Sequence, residues 1–273
     1  MTVQKRAVSK NISEEKITSK NLSIQFSLDG FSFSISNQHD EIYLLKEYSF
    51  RETVSIAVCL NKIVTTFKTE KELQSDFKNV SVIHQNYLNT LVPDSLFDTN
   101  ELKSYLKFTV KILATDRIDS DSISKTRVKN VYIPYININN FLFQNFGPFE
   151  FKHHMTVLIE KLLLKNNGFR FYIHVSKHHV DIIVIEGISL IFANSFEYHS
   201  KEDFIYYILF VAEQLKLNPE KLKVILLGEI ENESDLFSIV YKYIREVSFL
   251  KNDHFLLSNT PDFSRHSNFI LLG

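Results

Sequence analysis

A chain of 273 residues with 31 basic and 32 acidic side chains has a formal net charge of −1, so no long-range field draws it to nucleic acid or an anionic bilayer. Its single cysteine, Cys59, excludes an intrachain disulfide and fits a reducing compartment, the cytoplasm. The N-terminal stretch has no apolar segment of the secretory kind, and the longest uninterrupted apolar run, 204–212, is far too short to cross a bilayer, so no membrane insertion is expected.

Residues 1–20 are locally basic, with Lys5, Arg6, Lys10, Lys16 and Lys20 against Glu14 and Glu15, and they lack hydrophobic periodicity. They are expected to be a flexible arm. Residues 22–35 read as a hairpin whose turn is Asp29-Gly30, a pair suited to the two positive φ angles of a type I′ turn. A third strand is expected at 41–45. Ile56, Leu60, Ile63, Val64 and Phe67 then recur at helical spacing over 52–67. Strands follow at 80–84 and at 88–92, the latter stopped by Pro93. Two further strands, 108–114 and 128–134, flank an acidic loop at 116–121. Helices are expected at 138–146, ended by Gly147-Pro148, and at 155–164.

The stretch 169–196 predicts three strands. In the first, Phe169, Phe171, Ile173 and Val175 alternate with Arg170, Tyr172 and His174. The next two are apolar on both faces, which requires helices on both sides of the sheet. Ser200 and Asp203 can cap a helix over 200–217, with Phe204, Ile208, Val211 and Leu215 as its buried stripe. A strand at 224–227 precedes a last helix carrying Leu236, Ile239, Val240, Tyr243, Ile244 and Val247. Of the remainder, only 269–272 is apolar enough to dock. A β-β-β-α-β-α order thus occurs twice, predicting an α/β protein of two related lobes, 21–147 and 148–273.

The six glycines, at 30, 147, 168, 187, 228 and 273, are too dispersed for any two to share a phosphate loop. Dinucleotide oxidoreductases, P-loop NTPases and ordinary α/β-hydrolases are disfavoured accordingly. Neither C-x-x-C nor H-E-x-x-H occurs, so no common zinc site is expected. The densest polar cluster is His174, His178, His179 and Asp181. Its members lie on two strands and the turn between them, and convergence on one metal is not implied. His153 and His154 diverge if helical. Asp116, Asp119 and Asp121 lack the glycine and terminal glutamate of a calcium loop. Cys59, among apolar helix residues, reads as a small buried side chain rather than a nucleophile. With 24 Phe and 12 Tyr the chain has ample core, and Tyr206, Tyr207, Tyr241 and Tyr243 are candidates for an interface.

The duplicated meander followed by helix and strand resembles the actin-like ATPase (ribonuclease H-like) fold. More narrowly, LSIQFSLDGFSFSI, VYIPYININNFLFQNFG and the second meander resemble the bacterial domain-of-unknown-function family 3822, to which that fold has been attributed. The resemblance covers most of the chain from Leu22 onward and rests on structural motifs, so it implies no activity. Active actin-like ATPases place an Asp, and a Gly two residues on, at the first turn of each lobe. Here Ser27 and Asp29 hold those positions in the first lobe, and His174 and Ser176 in the second. Lys177, His178 and His179 fill the second turn. The double glycine that meets the nucleotide base corresponds to Gly228-Glu229, so that only Gly228, with Asp181, matches. The resemblance therefore implies a pseudo-ATPase without cofactor or metal, acting on an unknown protein partner or by self-association. The alternative is a divergent ATPase or phosphotransferase, for which Asp29, His174, Asp181 and Gly228 are the nucleotide-binding candidates.

Overall fold

The computed structural model describes residues 3–10, 19–251, 264 and 266–272. The chain divides into two compact units, Met1–Ser122 with Lys129–Val157 and Leu272, and Ile123–Val128 with Leu158–Leu271 and Gly273. The division thus falls ten residues beyond Gly147, inside a helix.

In the first unit, strands β1 (Val3–Ser9), β2 (Asn21–Ser27), β3 (Gly30–Ser36) and β4 (Ile42–Phe50) precede helix α1 (Ile56–Thr69) and strand β5 (Asn79–His84). Strand β6 (Asn89–Pro93), helix α2 (Leu102–Leu106), strands β7 (Asp119–Ser122) and β8 (Val128–Tyr132), helix α3 (Ile136–Phe146) and strand β9 (Glu150–His153) follow, and helix α4 (His154–Lys165) crosses the division. The main sheet runs β1-β4-β3-β2-β5-β9, and β6-β8-β7 form a small second one. Alternation in β2 buries Leu22, Ile24 and Phe26, which pack with Cys59, Ile63 and Phe67 of α1 and Ile138 and Leu142 of α3.

Several expectations are corrected. Residues 3–9, read as part of an arm, form a strand antiparallel to β4. They bury little, and charge holds them: Arg6 pairs with Glu47 at 2.5 Å, and Lys5 with Glu70 at 2.6 Å. The β2–β3 turn is shifted by one residue, because Ser27 pairs with Gly30 and leaves Leu28 and Asp29 at its centre. Neither has positive φ, so no type I′ turn forms. Gly30 is needed for another reason, since a Cβ there would lie 2.3 Å from the carbonyl oxygen of Tyr48. Residues 108–114 are turn and irregular chain rather than a strand, and Phe108 is largely exposed.

Lys46 of β4 is buried and bridges Glu70, at 2.6 Å, and Glu72, at 2.7 Å. Burial would raise the Glu70 carboxyl, but hydrogen bonds from Lys46 and Lys5 outweigh it and hold the group at about 2.

In the second unit, strands β10 (Phe169–Val175), β11 (His179–Glu186) and β12 (Ser189–Glu197), helix α5 (Lys201–Gln214), strand β13 (Lys223–Gly228), helix α6 (Asp235–Tyr243) and strand β14 (Glu246–Phe249) follow in order. Their sheet runs β12-β11-β10-β13-β14, with β10–β13 and β13–β14 parallel. The arrangement β4-β3-β2-β5-β9 of the first unit has the same order of meander and parallel strands. The capping box of Ser200 and Asp203 starts α5 as read. Phe171, Ile173 and Val175 pack with Phe204, Ile208 and Val211 of α5 and Val240 of α6. β11 is buried on both faces, whereas β12 is an edge strand and only half covered. Val247 belongs to β14 and not to the last helix, which ends at Tyr243. A buried helical turn, Phe269–Leu272, docks as its composition predicts. No helix among the described residues is long and apolar enough to cross a membrane.

Because the Glu70 carboxyl is depressed in the folded state, its contribution is complete above the ordinary carboxylate value of 4.5 and is lost as pH falls toward about 2. Glu70→Gln should therefore cost about 1–3 kcal/mol at neutral pH and flatten the loss of stability across that acidic window. Urea unfolding followed as a function of pH measures both.

Candidate functional site

Three turns carry the positions that the resemblance sets against the nucleotide contacts of active relatives. In the first unit, the β2–β3 turn folds back on itself. The Asp29 amide donates to Ser27 Oγ at 3.1 Å, and Asp29 Oδ1 accepts from Thr53 Oγ1 at 2.5 Å. The Asp29 and Leu28 carbonyls accept from the Phe50 and Val54 amides, which ties the turn to the chain entering α1. Cys59 Sγ lies 3.4 Å from the Ser27 carbonyl, and burial pushes its thiol up to about 12. It is a protonated packing residue rather than a nucleophile.

In the second unit, strand register sets His174 opposite Asp181 and Asp181 opposite Ser195. His174 Nδ1 is 2.8 Å from Asp181 Oδ2, and Ser195 Oγ donates to Asp181 Oδ1 at 2.5 Å. Asp181 is fully buried, with both oxygens engaged. Of the predicted cluster, His174 and Asp181 meet, while His178 is exposed on the turn and His179 begins β11. Among the described residues, no three His, Cys, Asp or Glu side chains converge as a metal cage would need. The Ser176 amide donates to the His179 carbonyl at 2.9 Å. Tyr198 clamps the same turn, its Oη donating to the Ser176 carbonyl at 2.7 Å and its amide to that of His178 at 2.9 Å.

Gly228 ends β13 with φ +89°, and a Cβ there would meet the Val175 carbonyl oxygen at 2.3 Å and His174 Cδ2 at 3.0 Å. Its amide donates to the His266 carbonyl at 2.9 Å, and the Glu229 amide to the Val175 carbonyl at 2.7 Å. His266 Nε2 in turn donates to the Ile230 carbonyl at 2.5 Å, and the imidazole stacks on Phe249 at 4.3 Å. Gly228 therefore joins His174 and Asp181 at one end of the sheet. Asp29, the fourth candidate, belongs to the other unit.

The remaining candidates have structural partners. Asp116 Oδ2 accepts from the Leu113 amide, whereas Asp121 lies in β7 and accepts from the His153 amide and Tyr132 Oη. Burial raises the Asp121 carboxyl against those bonds. His153 is buried between Asn130 Nδ2, at 3.0 Å from Nδ1, and the Asn86 carbonyl, at 2.9 Å from Nε2. It closes a polar network with Thr156 that sequence reasoning missed, because its members come from three separated segments. Tyr206, Tyr241 and Tyr243 are exposed.

A family model described as a protein of unknown function (DUF3822) matches residues 9–247. A Bacteroides thetaiotaomicron protein with actin-like ATPase fold and unknown function is 27% identical, with a TM-score of 0.78 over 88% of this chain and 94% of its own. A chain of the PilM–PilN type IV pilus biogenesis complex is 10% identical, with a TM-score of 0.54 over 85% of this chain and 88% of its own. No curated protein matches. The fold is that of the actin-like ATPases.

Gly228→Ala should destabilise the chain by about 2–4 kcal/mol through the strained φ and the collision with Val175. Asp181→Ala should cost a similar amount, about 2–4 kcal/mol, by stranding His174 and Ser195. Denaturant midpoints at constant slope measure both.

Proposed function

The chain belongs to the DUF3822 family, and we propose that this member is a non-catalytic pseudo-ATPase serving as a protein-interaction or scaffolding module in the cytoplasm. One observation carries the reading. An actin-like ATPase needs amides at its turns to hold phosphate and base. Here the amides of Asp29, Ser176, Gly228 and Glu229 all donate within the chain. Ser27 and His174 stand where the metal-handling carboxylates would be, and His174 is committed to Asp181.

Two observations favour protein recognition over loss of all function. Exposed tyrosines are held in place by ring contacts, Tyr206 against Phe210 and Tyr241 against Phe237, so their display costs little further ordering. The PilM–PilN assembly is a case in which this fold occurs within a complex.

Thermal unfolding with and without Mg-ATP tests the reading. A ligand at about one hundred times its dissociation constant stabilises by roughly 2.7 kcal/mol, a shift of several degrees. No shift is expected. A saturable shift that Gly228→Ala or Asp181→Ala abolishes in a folded protein would establish the nucleotide-binding alternative.

A further inference from the structure

We infer that strand β12, with the aromatic face of α5 beside it, pairs with the same edge of a second copy of this chain, antiparallel about Asn194. The inference rests on the interaction-module reading and names the partner such a module takes.

Sheet edges present unpaired main-chain donors and acceptors, and soluble proteins blunt them with charge, proline, bulges or short length. Among the described residues, the other edges of the two large sheets carry such guards. β1 has Lys5 and Arg6, while β9 and β14 are four residues long and include Glu150, Lys152 and Glu246. β12 has nine residues without lysine, arginine or proline, and its one charge is Glu197 at the end. A register shift between Val184 and Ile185 disturbs only its first part. From Phe192 to Glu197 it pairs regularly with β11 on one side, and no described strand lies on the other.

This regular part complements itself. Phe192-Ala193-Asn194-Ser195-Phe196 runs large, small, amide, small, large in either direction. Antiparallel pairing about Asn194 sets Phe192 of each copy opposite Phe196 of the other, Ala193 opposite Ser195, and the two Asn194 amides together at the axis. Phe192 and Phe196 lie at the margin of the core on the α5 side, with Asn194 exposed between them. Aromatic pairs directly across a ladder stabilise it, and the two Glu197 carboxylates stand ~20 Å apart, so no like charges meet. An extended peptide could use the free ladder, but only a second copy answers to the symmetry of the sequence.

The operation that pairs the strands also pairs the helices, because a two-fold axis normal to the sheet keeps both α5 helices on one face. Tyr207 stacks on Phe196 at 4.7 Å, Tyr206 meets Tyr207 edge-on at 5.4 Å, and Phe210 stacks on Tyr206 at 6.0 Å. The rings thus run unbroken from β12 across α5, and Tyr206 is 59% and Phe210 38% exposed. A short strand seam is small beside an ordinary interface of roughly 800 Å² per partner, and these rings supply further area. The contact is isologous, so it closes at two copies and leaves no β12 edge to recruit a third.

Sedimentation equilibrium of the whole chain at micromolar concentrations tests the pairing, and a mass twice that of one chain is expected. Asn194→Lys brings two ammonium groups to the axis from an exposed position. It should raise the dissociation constant about tenfold or more while circular dichroism stays that of the parent. Tyr206→Ser should weaken association as well. Asn194→Cys should cross-link the two copies under mild oxidation, whereas Ser189→Cys, ~30 Å from its counterpart, should not. Cys59 is buried and takes no part. The inference is overturned if the chain is monomeric, if Asn194→Lys leaves the dimer intact, or if cysteines at 194 and 189 cross-link alike. The Mg-ATP shift, run on the same samples, separates the two readings. A monomer without a nucleotide shift removes the edge pairing alone, whereas a dimer with one removes the non-catalytic reading alone.

Discussion

A backbone N–H can be donated once with full strength, so a turn holds an anion only with amides that are not already engaged. In this protein these turns engage their amides within the chain, two with near partners and one with a distant one. Ser27 reaches over its own turn to the Asp29 amide, His179 closes the Ser176 turn, and the Gly228 amide meets a carbonyl from far along the chain. Each bond is ordinary, contributing about 1 kcal/mol net. Together they leave these amides satisfied, and the side chains nearby are engaged as well. His174, which could have been an acid–base group, is held against Asp181, and Asp181 is shared with Ser195.

The parts of this arrangement that could be read in the sequence are those in which partner and cause are close together. The strand pattern of β10, the capping box of α5 and the helical repeat of α1 are each set within a few residues, and all three elements form, although β10 is buried on both faces from Phe171 to Val175. The His174–Asp181 pair was within reach as well. A turn that sets Val175 opposite Val180 necessarily sets residue 174 opposite 181. Ser195 was harder to place, because a register shift between Val184 and Ile185 moves the β11–β12 pairing. Asp29-Gly30 misled by resemblance to a common turn pair, when the glycine is required by the approach of Tyr48.

What stayed illegible has long-range causes. Strand β1 has no apolar period because its ties are backbone pairing with β4 and ion pairs to Glu47 and Glu70, 41 and 65 residues away. Residues 108–114 have the composition of a strand, yet no neighbouring strand pairs with them, and composition cannot supply one. The place of His266 on the Gly228 turn likewise depends on two regions whose sequences say nothing of each other.

The fit of Gly228 against Val175 also bears on how relatives are to be understood. The position is forbidden to every side chain by packing between neighbouring strands, whatever the turn binds. Purifying selection for a well-formed sheet would by itself preserve glycine there, with or without a ligand at the turn. Its persistence in a lineage is thus a record of architecture, and its replacement would be the event that reports a change in how the two strands meet.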